Sequence, residues 1–121
     1  MSEVESAEPG IFTWPLAGNV IYGDTAIARL FGLDQARTLE GVTVRRYIRR
    51  IYIADRSIVV HLWTQAIISG RSFHVEFRVR DETGLYRHVA SSGRSFNNGE
   101  GVPAFFVGIV YPVSHLSLAS Q

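Results

Sequence analysis

Four histidines are the side chains of this chain best suited to metal binding: His61, His74, His88 and His115. Zinc sites need imidazole, thiolate or carboxylate ligands at short, regular spacings. His88 and His115 do not stand at such a spacing from the other histidines. The sequence has no cysteine, which excludes disulfides, thiolate metal sites, a cysteine nucleophile and a cysteinyl flavin adduct. We therefore predict no metal site.

Catalysis by a serine nucleophile has little support in this sequence. The serines lie in turn-like segments and near the chain end, and none stands in a G-x-S-x-G elbow. Gly99-Glu100-Gly101 lies between two strand-like runs, whereas a phosphate-binding glycine loop is followed by a helix. We predict that the chain is not an enzyme. The alternative is isomerase or hydratase chemistry in a small α+β barrel.

The basic side chains are twelve arginines, and eleven acidic residues leave a net charge of +1. This small net charge argues against a nucleic-acid interface. Residues 45–50 carry four of the arginines, which form a basic stripe if this segment is helical. The stripe suits an acidic partner or a phosphate-bearing ligand. The simpler interpretation is a solvated face that pairs in part with Glu40 or Asp55.

A three-stranded meander is predicted for the last third of the chain. Its strand-like runs are residues 72–79, 85–96 and 102–113. In the first run, apolar residues from Phe73 to Val79 alternate with polar ones, which is typical of a half-buried strand. Turn clusters rich in Gly, Asn and Asp join the runs, so we expect antiparallel neighbours.

The first half of the chain predicts a β-hairpin followed by helices. The predicted strands are 11–16 and 20–22, and the predicted helical segments are 25–31, 33–34, 39–50 and 56–69. Asp24 or Thr25 is the expected N-cap of the first helix and Asp55 of the longest, which Gly70 ends. The order β-β-α-α-α-α-β-β-β predicts an α+β fold: a five-stranded antiparallel sheet with helices packed on one face.

The length of 121 residues fits one domain with a single hydrophobic core. We predict an acidic N-terminal segment at residues 1–9, a domain at residues 10–114 and a tail at residues 115–121. The first residues lack the basic and apolar regions of a secretory signal. No apolar run approaches the roughly 20 residues of a membrane span. We therefore predict a cytoplasmic protein that contacts neither membrane nor nucleic acid.

The element order and several short motifs resemble the PAS domain family. The corresponding segments are the hairpin GIFTWPLAGNVIY at 10–22, ARLFGLD at 28–34, YIADR at 52–56, FRVRDETGLYRHV at 77–89 and FVGIV at 106–110. They are similar to the family's opening hairpin, its "R-L-L-G-Y" and "H-P-E-D-R" segments, its "Y-R-x-R-x-x-D-G-x-x-R-W-V" hairpin and its last strand. The likeness covers residues 10 to 114. Tyr52-Ile53 replaces the family's His-Pro, and His88 replaces its aromatic residue.

The resemblance implies a sensory and regulatory signalling module. PAS domains bind small molecules or cofactors between sheet and helices, and they pair through the outer face of the sheet. The expected cavity residues are Tyr47, Leu62, Trp63, Phe73, Phe77 and Ile109. A ligand there would shift the population of sheet–helix arrangements and so change the surface presented to a partner. The expected partners are a second copy of the chain and a signalling protein such as a histidine kinase, or a fused effector domain.

A haem-binding gas or redox sensor is the alternative within the same family. Some PAS proteins hold haem through a histidine of the long helix, where His61 lies. His61 is about 200° around the helix from Val59 and Trp63, so it faces outward if those two residues face inward. It lies near the cavity edge if Ile58 and Leu62 mark the centre of the buried face. No other cofactor is predicted.

The last strand is apolar on both of its faces. An antiparallel strand with one wet face should alternate, so we expect both faces of this strand to be covered. A second copy of the chain is the predicted cover, because exposed apolar patches mark interaction surfaces and twofold dimers are common. The predicted dimer surface consists of Ala104, Phe106, Val110 and His74, with Phe105 as the alternative to Phe106.

Overall fold

The computed structural model describes residues 8–113, so the predicted tail, His115 and most of the N-terminal segment lie outside the described residues. The strands are β1 (Gly10–Pro15), β2 (Val20–Gly23), β3 (Val42–Thr43), β4 (Phe73–Arg80), β5 (Tyr86–Asn97) and β6 (Pro103–Pro112). The helices are α1 (Thr25–Phe31), α2 (Gln35–Glu40), α3 (Val44–Arg50) and α4 (Arg56–Ser69), and a 3-10 turn at Ile53–Asp55 precedes α4. The predicted α+β class is confirmed.

The sheet is antiparallel, with the strand order β3-β2-β1-β6-β5-β4. The N-terminal hairpin and the C-terminal meander therefore meet at β1 and β6, where Gly10 pairs with Val110 and Pro15 with Phe105. Both of these predicted units are confirmed. The helices lie in the connection between β2 and β4, and their buried side chains pack against one face of the sheet. We call this the inner face.

The main difference from the predicted fold is the short strand β3, which gives the sheet six strands and not the predicted five. The sequence predicted a helix over 39–50, but Gly41 has a φ of 112° and ends α2. Val42 and Thr43 are then extended and pair with β2, where Ile21 lies opposite Val42. Thr43 caps α3 through its hydroxyl, which accepts a hydrogen bond from the amide of Arg46 at 3.4 Å.

The first helix is fixed at both ends by local chemistry. The Asp24 carboxylate accepts hydrogen bonds from the amide of Ile27 at 3.0 Å and from that of Ile11 at 3.1 Å. It therefore caps α1 and ties the helix to β1. Gly32, at a φ of 62°, ends the helix in the left-handed conformation that glycine adopts without strain. Of the two predicted caps, Asp24 is the one used.

The long helix α4 has the predicted limits, and it buries Val59, Trp63 and Ala66 at spacings of four and three residues. These spacings place all three on the side that faces the sheet. Asp55 takes the predicted N-cap position, but its side chain makes no capping hydrogen bond. Its carboxylate lies instead against Arg78 of β4, at 2.8 Å from the guanidinium.

Candidate functional site

An aromatic cluster fills one end of the space between the inner face and α4. The ring of Phe106 lies at its centre, and its centroid is 5.1 Å from that of Phe73, 6.1 Å from those of Phe12 and Trp14, and 6.4 Å from that of Trp63. These rings come from β1, β4, β6 and α4. Phe106 therefore links the hairpin, the meander and the long helix.

A cross-strand glycine pair makes room for these rings. Gly93 of β5 lies opposite Gly108 of β6. A Cβ atom on Gly108 would be 2.8 Å from the Phe12 ring, and one on Gly93 would be 3.1 Å from the Phe73 ring. A Cβ at either position would also meet backbone atoms of the opposite strand, so only glycine fits between the paired strands and the two rings.

The interior cavity next to this cluster is about 10 Å³. It is lined by Phe12, Ile21, Phe31, Tyr47, Trp63, Phe77, Ser91 and Val110. A volume of about 10–15 Å³ holds one water molecule, so ligands larger than water need the core to expand. Burial, together with the nearby charge of Asp24, raises the pKa of Tyr47, so its phenol keeps its proton.

Three of the predicted cavity residues, Tyr47, Trp63 and Phe77, line this cavity. Leu62 is partly buried against the core, and Phe73 belongs to the aromatic cluster. The placement of Ile109 in the cavity is wrong, because its side chain is 40% exposed on the opposite face of the sheet. The sequence prediction missed the other five lining residues, which come from segments distant in the sequence: Phe12, Ile21, Phe31, Ser91 and Val110.

Several polar atoms in the core lack partners. Among the described residues, Trp63 Nε1, Ser91 Oγ and Ser95 Oγ are buried and make no hydrogen bond. A buried polar group without a partner destabilises a fold by about 1–3 kcal/mol. These atoms give an otherwise apolar interior a few groups that could bind a polar atom of a ligand.

The inner and outer faces of β6 are exchanged relative to the prediction. Phe106 and Val110 therefore cannot belong to the predicted dimer surface. Phe106 and Val110 are fully or almost fully buried on the inner face. Phe105 is 47% exposed and Ile109 is 40% exposed on the outer face. The pairing of β6 with β5 fixes this orientation, since Phe106 lies opposite the buried Ser95.

An apolar patch lies along the outer face of β6 and continues onto β1 and β5, where the guanidinium of the exposed Arg94 lies 4.8 Å from the centre of the Phe96 ring. Its members are Ile11, Phe96, Phe105, Val107, Ile109 and Tyr111, which we call the outer patch. Ile11 lies opposite Ile109, and Phe96 lies opposite Phe105, so the side chains are neighbours across strands. Ile11 is 56% exposed. The predicted Ala104 is half-buried at the start of this strand.

Polar cross-strand pairs occupy the outer face of β4. Nδ1 of His74 lies 2.7 Å from Oγ of Ser92, and Nε2 of His88 lies 2.8 Å from Oε1 of Glu76. His74 therefore lies on the predicted face. The residue opposite His74 on β5 is Ser92. These pairs form the polar border of the outer patch.

The structure does not fit haem ligation by His61. This side chain is exposed, whereas Val59 and Trp63 on either side of it are buried. The interior cavity also has room for little more than a water molecule. Within residues 8–113, no group of three His, Cys, Asp or Glu side chains could hold a metal ion.

The basic stripe divides into two kinds of arginine. Arg50 turns inward, where its guanidinium donates to the carbonyl of Phe31 at 2.7 Å and to that of Arg80 at 3.0 Å. Arg45, Arg46 and Arg49 are exposed. The pairing predicted with Asp55 is wrong, because Arg78 holds that carboxylate.

Comparison with known proteins identifies the family. A model of the PAS fold matches residues 20–110, which is more than half of the chain. The chain belongs to the PAS fold family. The predicted family is therefore confirmed, and the cavity between sheet and helices is the interior of a PAS domain. A comparison with curated proteins found no match.

Solved structures with the same PAS fold come from bacteria and animals. A sensory box histidine kinase/response regulator from Burkholderia thailandensis is 22% identical, with a TM-score of 0.75 over 97% of this chain and 86% of that chain. The N-terminal domain of a diguanylate cyclase with PAS/PAC sensor from Marinobacter aquaeolei is 16% identical, with a TM-score of 0.77 over 94% and 100% of the two chains. Cycle PAS-B from Drosophila melanogaster, with bound ethylene glycol, is 13% identical, with a TM-score of 0.68 over 86% and 99%. At these identities the likeness shows the fold. No helix within the described part of this chain is long and apolar enough to cross a membrane.

Proposed function

We propose that this PAS domain is a sensory and regulatory module that acts by protein–protein contact through the outer face of its sheet. The outer patch is the observation that carries the proposal. It places several large apolar side chains side by side in water, on strands whose inner faces already form the core. A contiguous apolar surface rimmed by polar residues is typical of an interaction site.

A second copy of the chain is the first partner that we propose. A twofold axis through the outer patch would bring the β6 strands of two copies face to face, and each copy would bury the same residues. The flanking pairs His74–Ser92 and His88–Glu76 would form a polar rim. A signalling protein or a fused effector domain is the second proposed partner. The similarity to structures from a histidine kinase and a diguanylate cyclase supports that choice.

The proposed sensing step is an expansion of the interior cavity. A small molecule would enter beside Tyr47, Trp63 and Phe77, and the unpaired atoms of Trp63 and Ser91 would bind its polar groups. Phe106 contacts one ring from the N-terminal hairpin and one from the meander. Displacement of the aromatic cluster would therefore move β6, the strand that carries most of the outer patch. The ligand would thereby shift the population of arrangements that favour one partner.

Analytical ultracentrifugation at micromolar concentration tests the proposed interface. We expect the wild-type protein to sediment as a dimer and Phe105→Glu to sediment as a monomer, since the substitution places a charge within the apolar contact. Leu85→Glu is the matched control. Leu85 is 69% exposed, but it lies in the turn before β5 and outside the outer patch. The control should remain dimeric.

A wild-type protein that sediments only as a monomer would contradict the homodimer. Monomeric behaviour of both variants would show that added charge, and not the outer patch, controls association. Native mass spectra of the same samples report any small molecule that the wild-type core retains.

A further inference from the structure

A second surface, on the helical side of the domain, carries exposed arginines. We define the arginine surface as Arg37, Arg45, Arg46 and Arg49, which are all exposed. Arg37 and Arg46 line a recess of about 390 Å³ beside Gly41, and Arg46 and Arg49 line another of about 300 Å³ beside Gly32. The two recesses share Arg46 and therefore adjoin each other.

The charges of this surface are balanced only in part, by Glu40 and Asp34 in the same recesses. The helix α3 carries four arginines and no acidic residue. Within residues 8–113, Arg45, Arg46 and Arg49 have no ion-pair partner. Arg45 and Arg49 are four residues apart and Arg46 and Arg49 are three apart, so like charges are neighbours on the helix and repel each other. An external anion would relieve this repulsion.

Two further arginines, Arg50 and Arg56, hold the helix α3 in place. Arg50 donates to carbonyls at the end of α1 and the end of β4. Arg56 donates to the carbonyl of Arg49 at 3.0 Å and to that of Ile51 at 2.9 Å. The end of α3 is therefore fixed before any partner arrives, which reduces the entropy lost on binding.

We propose that the arginine surface binds an acidic segment of a partner protein. Guanidinium groups bind carboxylates through paired hydrogen bonds, and arginine is enriched at protein interfaces. Two carboxylates, Glu40 and Asp34, lie in the same recesses as the arginines. A chain with a net charge of +1 lacks the large positive footprint of a nucleic-acid-binding domain, so a protein segment is the better match.

This binding surface is separate from the proposed dimer interface. Val44 and Tyr47 of α3 pack into the core from the inner side of the sheet, whereas the outer patch lies on the other side. The domain can therefore hold a second copy through its sheet and an acidic partner through α3. An experiment that disproves binding at one of these two surfaces therefore leaves the proposal for the other surface intact.

Fluorescence anisotropy with labelled decaglutamate tests the acidic-segment proposal. We expect Arg46→Glu/Arg49→Glu to weaken binding of this peptide by about tenfold or more at low salt, since attraction becomes repulsion at the centre of the surface. The matched control is Arg29→Glu/Arg71→Glu, which changes the net charge equally. Arg29 lines a separate recess beside Glu82, and Arg71 follows α4, so neither belongs to the arginine surface or to the outer patch. The control should change the affinity by less than about twofold.

Three outcomes would overturn the proposal. One is a wild-type protein that binds decaglutamate no better than it binds decalysine. Another is an equal loss of affinity in the two double variants, which would mean that net charge alone decides binding. The third is tighter binding of a single-stranded decanucleotide than of decaglutamate, lost in Arg46→Glu/Arg49→Glu, which would assign the surface to nucleic acid. Circular dichroism of both variants verifies that the fold is retained.

Discussion

At the scale of single residues, the glycine pair under the aromatic cluster is the most restrictive feature. We expect Gly108→Ala to lower the free energy of unfolding by about 1–3 kcal/mol, because the new methyl group would overpack the core. It would meet the Phe12 ring at 2.8 Å. Urea denaturation measures the change.

Gly99→Ala is the control for that substitution. Gly99 lies in the turn between β5 and β6, and a Cβ there has nothing within 4 Å. Its free energy of unfolding should stay within about 0.5 kcal/mol of the wild type. Equal stability of Gly108→Ala and the wild type would show that the rings move aside easily and that the glycine pair does not shape the cavity.

At the scale of secondary-structure elements, an ion pair joins the start of α4 to β4. The Asp55 carboxylate accepts from the backbone amide of Arg78 at 2.8 Å and from its guanidinium at 2.8 and 3.0 Å. The guanidinium also lies 4.2 Å from the centre of the Tyr52 ring. Hydrogen bonds from Arg78 lower the pKa of Asp55 below its usual 3.8. This contact places the first turn of the long helix on the outer edge of the sheet.

The depressed pKa gives Arg78→Ala a pH-dependent effect on stability. A carboxyl group whose pKa is lower in the folded state stabilises the fold above its unfolded pKa, and this stabilisation is lost as pH falls through the folded pKa. The difference in free energy of unfolding between wild type and Arg78→Ala should therefore be larger at neutral pH than at about pH 2. Chemical denaturation at the two pH values measures it.

Arg71→Ala provides the comparison for the pH effect. Within the described residues Arg71 has no ion pair, so the difference between wild type and this variant should not change with pH. A constant difference for Arg78→Ala between the two pH values would contradict the contribution of the Asp55 carboxylate.

Some elements could be predicted from their own sequence, whereas others depend on contacts with distant segments. In β4, apolar and polar residues alternate, so the inner face could be predicted and is correct. In β6 both sets are apolar, and only the pairing with Ser91 and Ser95 of β5 places Phe106 inward. The break between α2 and α3 occurs at Gly41, which has a positive φ. The predicted helix over 39–50 did not take this glycine into account. Local patterns therefore predicted the order of elements, while the site residues of β6 required contacts between distant segments.

At the scale of the whole molecule, the sheet and the helical layer should differ in local stability. The strands β5 and β6 have a paired neighbour on each side. The helices α2 and α3 span only 6 and 7 residues and are joined by the two-residue β3. Short helices contribute few cooperative hydrogen bonds. We expect amides of α2 and α3 to exchange with deuterium before those of β5 and β6.

Hydrogen exchange with mass spectrometry measures this order, and peptides from α4 provide an internal reference. Equal protection of α2–α3 and β5–β6 would indicate that the domain opens only by global unfolding. In that case the cavity could not expand from the helical side to admit a ligand, and the proposed sensing step would be wrong.

The aromatic cluster also makes the domain an optical reporter of its own interior. The sequence contains two tryptophans, and the centroids of Trp14 and Trp63 are 6.1 Å apart beside Phe106. All the indole emission of the protein therefore originates within one group of touching rings. A molecule that separates these rings should change the intensity of that emission and the near-ultraviolet dichroism of the coupled indoles. A library of compounds can thus be screened on the unlabelled wild-type protein.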